Sequence, residues 1–101
     1  MQFRIDAAHP ALPGHFPGNP IVPGVVLLDR VCAALEARGV ARGGLRLPQV
    51  KFLQPLLPGQ QARVELEAVA PNEATAAPRW RFRVLRADDG ALLCSGEAVP
   101  A

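Results

Sequence analysis

Apolar and polar residues alternate along two stretches in the second half of the chain. Within residues 62–68 the apolar side chains fall at even numbers and the charged ones at odd numbers, and residues 79–84 repeat this order. A two-residue period is typical of a β-strand that has one face in the core and the other in solvent. We therefore predict strands over residues 61–69 and 79–87, with these inward side chains: Ala62, Val64, Leu66, Ala68, Trp80, Phe82 and Val84.

Turn residues separate these two strands from three further extended segments. The first segment also alternates, because it places Phe3 and Ile5 on the same face. Prolines, glycines and aspartates bound the other two. The additional predicted strands are residues 1–6, 48–55 and 91–99, and the predicted turns are Pro58-Gly59 and Asp88-Asp89-Gly90.

A predicted helix over residues 23–38 lies between two boundary signals. Pro23 suits the first helical position, since its missing N–H is not needed there, and Gly39 suits the position after the last turn. The helix is apolar on nearly every side, which is typical of a buried helix. Asp29 is the exception, and a buried carboxylate must be paired, hydrogen-bonded or functional. The alternative is a narrow stripe facing solvent, composed of Asp29, Arg30, Ala33 and Glu36.

The segment before the helix, residues 7–22, is rich in proline and glycine and is predicted to be a loop. It is too apolar for a linker, and loops of this length inside compact domains are usually functional. It carries His15 and leads to the N–H groups of Gly24 and Val25, which have no intrahelical partners. A histidine beside the positive end of a helix dipole suits acid–base chemistry on a group that develops negative charge. His9 is expected to be partly exposed and outside the site.

Helix and strands together give an α+β pattern, although several folds with one helix and one sheet share it. The 101 residues are predicted to form one domain, residues 1–101. Half of the residues are hydrophobic, which in so small a domain favours an oligomer that covers apolar surface. A net charge of +2 with few aromatic residues argues against nucleic-acid binding.

The run HFPGNPIVPGVVLLD, residues 15–29, resembles the signature of the β-hydroxyacyl-acyl-carrier-protein dehydratases of the FabA/FabZ type. In that family a histidine, a loop rich in proline and glycine, and an acidic residue follow one another at this spacing. Residues 50–60 are similar to the family's strand that ends in a P-x-x-P-G turn. The resemblance implies the hot-dog fold, in which an antiparallel sheet wraps one long central helix. It also implies dimers whose active sites are shared between two subunits.

The same resemblance assigns roles to individual residues. It implies that His15 is the catalytic base, that Asp29 reaches in from the partner subunit as the second acid–base residue, and that the Gly24 N–H binds the thioester carbonyl. Aspartate at the second position is similar to the branch that also isomerises the double bond, but one residue does not establish that activity. Three further residues are expected to contact the substrate: Phe16, Pro23 and Val25.

The implied reaction is the dehydration of 3-hydroxyacyl-acyl-carrier-protein thioesters to trans-2-enoyl thioesters, in fatty-acid or specialised acyl or polyene biosynthesis. Acyl carrier protein is the expected partner, and its phosphopantetheine carries the substrate. No metal or other cofactor is expected, because the thioester itself activates the neighbouring proton. To protonate the leaving hydroxyl, Asp29 must hold a proton near neutral pH, which burial in an apolar helix favours.

Two alternative functions stay open. The first is a hot-dog acyl thioesterase in which Asp29 activates water, although the histidine loop argues against it. The second is a non-catalytic acyl-carrier-binding subunit that forms a heterodimer with a longer dehydratase. It is motivated by the expectation that the chain begins directly on the first strand and lacks the segment that covers the active site in longer relatives, like the small accessory dehydratases.

Three arginines, Arg79, Arg81 and Arg83, are predicted to share one face of a strand. They form either a solvated face with Glu65 and Glu67 as cross-strand partners, or a docking surface for an acidic carrier protein or its phosphopantetheine.

The remaining features favour an ordinary intracellular protein. Cys32 and Cys94 are expected to be buried thiols, and no cysteine or histidine spacing predicts a metal site. The first residues show no signal peptide, and no apolar stretch approaches the ~18 residues that span a bilayer. A cytoplasmic protein without membrane contact is therefore expected.

Overall fold

The structure is a computed structural model that describes residues 2–5, 21–39, 44–69 and 79–100. The predictions for His9, His15 and Phe16 concern residues outside these ranges. In chain order, the elements are β1 (Gln2–Arg4), α1 (Gly24–Ala37), β2 (Leu45–Phe52), β3 (Gln61–Val69), β4 (Arg79–Arg86) and β5 (Leu92–Pro100).

The strands form one antiparallel sheet in the order β1-β3-β4-β5-β2. The central strand β4 pairs with β3 and β5, while β2 and the short β1 lie at the two edges. Helix α1 packs on one face of this sheet, because its buried side chains belong to the same core as those of the strands. The predicted α+β architecture, one helix on an antiparallel sheet, is confirmed.

The predicted limits of β3, β4 and β5 hold to within one residue, whereas those of β1 and β2 do not. Strand β1, predicted over residues 1–6, ends at Arg4, and Ile5 lies outside it. Strand β3 has the predicted limits, and β4 and β5 differ from the prediction by one residue at their ends. Strand β2, predicted over residues 48–55, instead begins at Leu45 and ends at Phe52. It begins earlier because its register against β5 shifts between Arg46 and Gln49, an irregularity that accommodates Pro48.

Helix α1 is amphipathic, so the expectation of a buried helix is wrong, and the alternative of a stripe that faces solvent is correct for Asp29 and Glu36. Val25 is 65% exposed, and Asp29 and Glu36 are exposed as well. The reason is that the helix meets the sheet along one stripe only. That stripe consists of Val26, Leu27, Val31, Ala34 and Leu35.

Both predicted helix ends are correct to within one residue. Pro23 is the N-cap, directly before the first helical residue, and Arg38 is the C-cap. Gly39 follows with φ +78°, a left-handed conformation that favours glycine, and its N–H donates to the Glu36 carbonyl at 2.9 Å. Above the core, the Arg38 guanidinium lies 5.8 Å from the centre of the Trp80 ring and helps to hold this end of the helix on β4.

Most of the predicted inward side chains lie in the core. Ala62, Val64, Phe82 and Val84 are buried, and Leu66 and Trp80 are half-buried against that core. Ala68 is exposed, which corrects the prediction. It lies near the end of β3 opposite the half-buried Trp80, where the core is no longer complete.

Gly96 allows β2 and β5 to approach each other closely. A Cβ atom at this position would overlap the Gln49 carbonyl oxygen and would lie 2.9 Å from Cζ of Phe82. Because the first obstacle is backbone, it cannot turn away as a side chain does. The close fit of edge strand β2 therefore depends on glycine at this position.

Candidate functional site

The segment that leads into α1 is anchored to the loop after β2. The Val22 N–H donates to the Leu56 carbonyl at 2.8 Å, and both side chains are buried. In the same loop the Gly59 N–H donates to the Ile5 carbonyl at 2.8 Å. The first bond holds the start of the helix beside the loop that follows β2, and the second ties this loop to the residue after β1.

The helix begins without a side-chain cap. Pro23 has extended dihedral angles, φ −59° and ψ 144°, and its carbonyl accepts the Val26 N–H at 3.0 Å. Within the described part of the chain, the N–H groups of Gly24 and Val25 have no hydrogen-bond partner. They lie at the positive end of the helix dipole, where an oxygen that gains negative charge is stabilised.

A small apolar cavity lies beside this helix start. Its volume is about 390 Å³, within the range of small-molecule sites. Phe52 closes one side of it, with its ring against the backbone of Gly24. The cavity is lined by residues from both sides of the junction: Ile21–Gly24, Leu27 and Phe52–Leu56.

The structure brings together only part of the predicted site. Pro23 and Gly24 line the cavity, whereas Val25 is exposed on the helix surface and does not line it. Asp29 lies one turn further along that exposed side. The placement of His15 and Phe16 lies outside the described residues, so their roles stay predictions.

Asp29 is exposed, so a single chain does not supply the apolar burial that was expected for its carboxyl group. The helix period places it on one face with Val25, Cys32 and Glu36. Burial raises the pKa of the half-buried Cys32 thiol, and the neighbouring carboxylates of Asp29 and Glu36 raise it further. Cys94, as predicted, is buried, and burial raises the pKa of its thiol to about 11.

The arginine-bearing face of β4 is largely paired with carboxylates. Arg83 contacts Glu65 at 2.6 Å, and Arg79 contacts Glu97 at 3.1 Å. Arg81 lies opposite Glu67 of β3 in the register of the sheet. These contacts match the predicted solvated face with cross-strand partners. Docking of a carrier protein on this face stays a prediction.

A wider depression of about 920 Å³ lies over this charged face, away from the helix. Its walls carry ion-paired and other charged side chains from β3, β4 and β5. It contains no residue of the predicted site. The smaller cavity at the helix start is therefore the better candidate for a site, since it adjoins Gly24 and its unpartnered N–H group.

Phe52 and Leu53 line the cavity but were not among the predicted site residues. Both are large and apolar, yet they are 54% and 53% exposed. One signal in the sequence could have indicated them as site residues. They stand immediately before Gln54-Pro55, in the segment that resembles the dehydratase strand. Their contact with the helix start depends on the sheet and was not readable from the local pattern.

The described residues offer neither a metal-binding cluster nor a membrane-spanning helix. No cluster of three or more histidine, cysteine, aspartate or glutamate side chains is placed to hold a metal ion. Within the described ranges, no helix is long and apolar enough to cross a membrane.

Comparison with known proteins identifies relatives along nearly the whole chain. A family model described as ApeI dehydratase matches residues 1–97. The 3-hydroxyacyl-[acyl-carrier-protein] dehydratase FabZ of Proteus mirabilis is 32% identical over 108 aligned positions, which cover 97% of this chain and 69% of that protein. FabZ of Symbiobacterium thermophilum is 38% identical over 75 positions, covering 66% of this chain and 53% of that protein. The chain thus spans only part of these longer enzymes.

Two solved structures are similar to this chain in fold. The (R)-hydratase from A. caviae involved in PHA biosynthesis superposes with a TM-score of 0.76 at 24% identity, covering 98% of this chain and 89% of that one. A chain of the dehydratase heterocomplex ApeI:P from Xenorhabdus doucetiae gives a TM-score of 0.66 at 24% identity, covering 97% and 81%. At these identities the likeness concerns the fold alone, and the expected hot-dog fold is confirmed.

Proposed function

Because the chain belongs to the ApeI-like dehydratase family, we propose that it removes water from 3-hydroxyacyl thioesters carried by acyl carrier protein and forms trans-2-enoyl thioesters. The observation that carries this proposal is the start of α1. There, N–H groups without a partner in the described part of the chain adjoin an apolar cavity of about 390 Å³. Such a site combines a donor for a thioester carbonyl with space for an acyl chain.

In the proposed reaction the Gly24 N–H donates to the thioester carbonyl oxygen. His15 removes a proton from carbon 2, and the electron pair moves toward the carbonyl, whose developing charge the Gly24 N–H stabilises. The bond between carbon 3 and its hydroxyl then breaks, and Asp29 supplies the proton with which that hydroxyl leaves as water. Histidine suits the first step, because its unperturbed pKa of about 6.5 allows proton exchange near neutrality. The chemistry requires neither a metal nor a nucleotide.

The surface around Asp29 supports a site completed by a second subunit. Val25 lies one turn before Asp29 on the same helix face, and its large apolar side chain is 65% exposed. A subunit that covers Val25 would also bury the Asp29 carboxyl group, which favours the protonated form that the reaction needs. We expect either a second copy of this chain or a longer dehydratase, and light scattering distinguishes a dimer from a monomer.

The test is a set of incubations with 3-hydroxyacyl-carrier proteins of several chain lengths, followed by mass spectrometry of the acyl group. We expect loss of one water with the wild type, and a decrease of roughly 10²- to 10⁴-fold in rate for His15→Ala and for Asp29→Asn. His9→Ala, in the same predicted loop as His15, and Glu36→Gln, on the same helix face as Asp29, are matched controls. Both should retain the wild-type rate.

The outcomes distinguish the dehydratase from its two alternatives. Full activity of His15→Ala would refute histidine as the base, and a free acid as the main product would indicate the thioesterase alternative. If no substrate changes mass, the catalytic proposal fails. Activity that arises only after mixing with a longer dehydratase, and that survives His15→Ala, would assign the non-catalytic partner role.

A further inference from the structure

We propose that Phe52 is a specificity-determining residue, whose ring contacts the substrate atoms next to the thioester carbonyl and limits the size of substituents on carbon 2. The inference rests on the proposed dehydratase function, because it takes the Gly24 N–H as the donor to the carbonyl oxygen. Phe52 lies outside the residues that the dehydratase resemblance assigned to the site.

The first observation is the contact between the Phe52 ring and the backbone of Gly24. A Cβ atom at Gly24 would lie 2.7 Å from both Cε1 and Cζ of Phe52, and 3.3 Å from Cδ1. Real Cβ atoms essentially never approach as closely as the first two distances. The ring therefore occupies the space that any side chain at residue 24 would need, and it lies directly beside the group that would bind the carbonyl.

The second observation is that this ring is only partly covered. Phe52 pairs with the fully buried Cys94 in the sheet, yet it is itself 54% exposed. One side of the ring rests on Gly24, and the ring also lines the cavity that contains Leu27. A ligand in that cavity would cover apolar surface that is now open to water.

These contacts determine which part of a substrate the ring meets. When the carbonyl oxygen accepts the Gly24 N–H, carbon 2 lies two bonds and carbon 3 three bonds from that oxygen. Because the ring lies against Gly24 itself, it meets these carbons rather than the far end of the acyl chain. With a substrate bound, the apolar ring would also help to exclude water from the N–H group, which strengthens its interaction with the developing negative charge.

The experiment compares wild type, Phe52→Ala and Phe52→Leu, with Leu57→Ala as the control. Leu57, in the loop after β2, is also apolar and exposed, but it does not line the cavity. The substrates are pantetheine thioesters of 3-hydroxybutyrate, 3-hydroxyoctanoate and 2-methyl-3-hydroxybutyrate, and kcat/KM is measured for each. Thermal unfolding and light scattering show whether each variant keeps its fold and its oligomeric state.

For Phe52→Ala we expect kcat/KM of the two unbranched substrates to fall by a similar factor, roughly ten-fold or more, since hydrophobic contacts are lost. The ratio of 2-methyl to unbranched activity should rise, with a smaller rise for Phe52→Leu and none for Leu57→Ala. If Phe52→Ala does not fold, Phe52→Leu provides the same comparison.

Three results would overturn the assignment. An unchanged branched-to-unbranched ratio would show that the ring does not face carbon 2. A loss that grows with chain length would place the ring at the far end of the acyl group, and a smaller species in light scattering would make Phe52 a subunit contact. Inactivity of the wild type with all substrates would instead refute the dehydratase function, which separates that failure from failure of the Phe52 assignment.

Discussion

The middle of the sheet and the start of the helix differ in how completely a single chain buries their apolar side chains and pairs their polar groups. Across β3, β4 and β5, most of the inward face is buried, and charged residues of the outward face form ion pairs such as Arg83–Glu65. At the start of α1, two N–H groups have no partner in the described part of the chain, and Val25 and Phe52 are 65% and 54% exposed.

This difference separates the region that stabilises the fold from the region that is open to a ligand or a subunit. Buried apolar contacts in the sheet lower the free energy of the folded state. Because the core is closely packed, a change in the volume of a buried side chain changes the free energy of unfolding. The helix start keeps donors and apolar surface free, which contributes little to the stability of one chain. Substitutions in the first region should therefore change the free energy of unfolding, and those in the second should mainly change activity.

The largest change in stability is expected for Gly96→Ala in the sheet. Its Cβ would overlap the Gln49 carbonyl oxygen, so β2 must move away from β5. Overpacking of this kind costs about 1–3 kcal/mol, and we expect the upper end because the obstacle is backbone. Urea unfolding measures the cost, with Ser95→Ala in the same strand as the control. Wild-type stability of Gly96→Ala would show that β2 is not held closely against β5.

Gly24→Ala tests the same substitution in the other region, where the obstacle is the half-exposed Phe52 ring. The ring can turn away, and alanine favours the helix over glycine by up to about 1 kcal/mol, so the net change in stability should stay below about 1 kcal/mol. We expect kcat/KM to fall at least ten-fold, because the displaced ring alters the surroundings of the N–H group.

The double variant Gly24→Ala/Phe52→Ala shows whether the ring is the cause. It should be more stable than the sum of the two single changes predicts, because removal of the ring removes the overlap. Strictly additive changes in unfolding free energy would contradict the contact between these two residues.

Arg86→Met tests a side chain that links the two regions. Arg86 donates to the Asp89 carboxylate at 2.7 Å and to the Pro55 carbonyl, in the loop beside the cavity, also at 2.7 Å. Loss of these charge-assisted bonds should lower the free energy of unfolding by about 1–2 kcal/mol. The exposed Arg81, for which the described residues show no ion pair, gives the control Arg81→Met, which should change stability by less than about 0.5 kcal/mol. Equal effects of the two variants would refute a linking role.

The smallest effect concerns the ion pairs on the outer face. Hydrogen bonds from Arg83 and then Arg63 hold the pKa of Glu65 below its ordinary value. A carboxyl group with a lowered folded-state pKa stabilises the fold above its unfolded pKa of about 4.3, and this contribution is lost as the pH falls through the folded value. Glu65→Gln should therefore flatten the decline in melting temperature below about pH 4.3, and high salt should reduce the difference, since the pair is exposed. If the melting temperatures of wild type and Glu65→Gln decline in parallel as the pH falls, this contribution of Glu65 is contradicted.

Local pattern alone was enough to predict much of the sheet and both ends of the helix. The limits of β3 follow from its two-residue period, and Pro23 and Gly39 bound the helix, because these signals depend only on neighbouring residues. The His15-to-Asp29 motif likewise indicates the family, which the comparisons confirm for residues 1–97. The roles of His15 and Asp29 stay predictions.

The tertiary structure decided which faces are covered and which distant residues meet. Strand β2 begins at Leu45 because its pairing with β5 tolerates an irregularity around Pro48. The residues near Pro48 in the sequence carry no information about this partner strand. Asp29 is exposed because the sheet covers only one stripe of the helix. The contact of Phe52 with Gly24 depends on the register of β2 and the anchoring of Val22 to Leu56. Residue spacing specifies periods along the chain, whereas contacts across the fold arise only when the sheet and helix pack together.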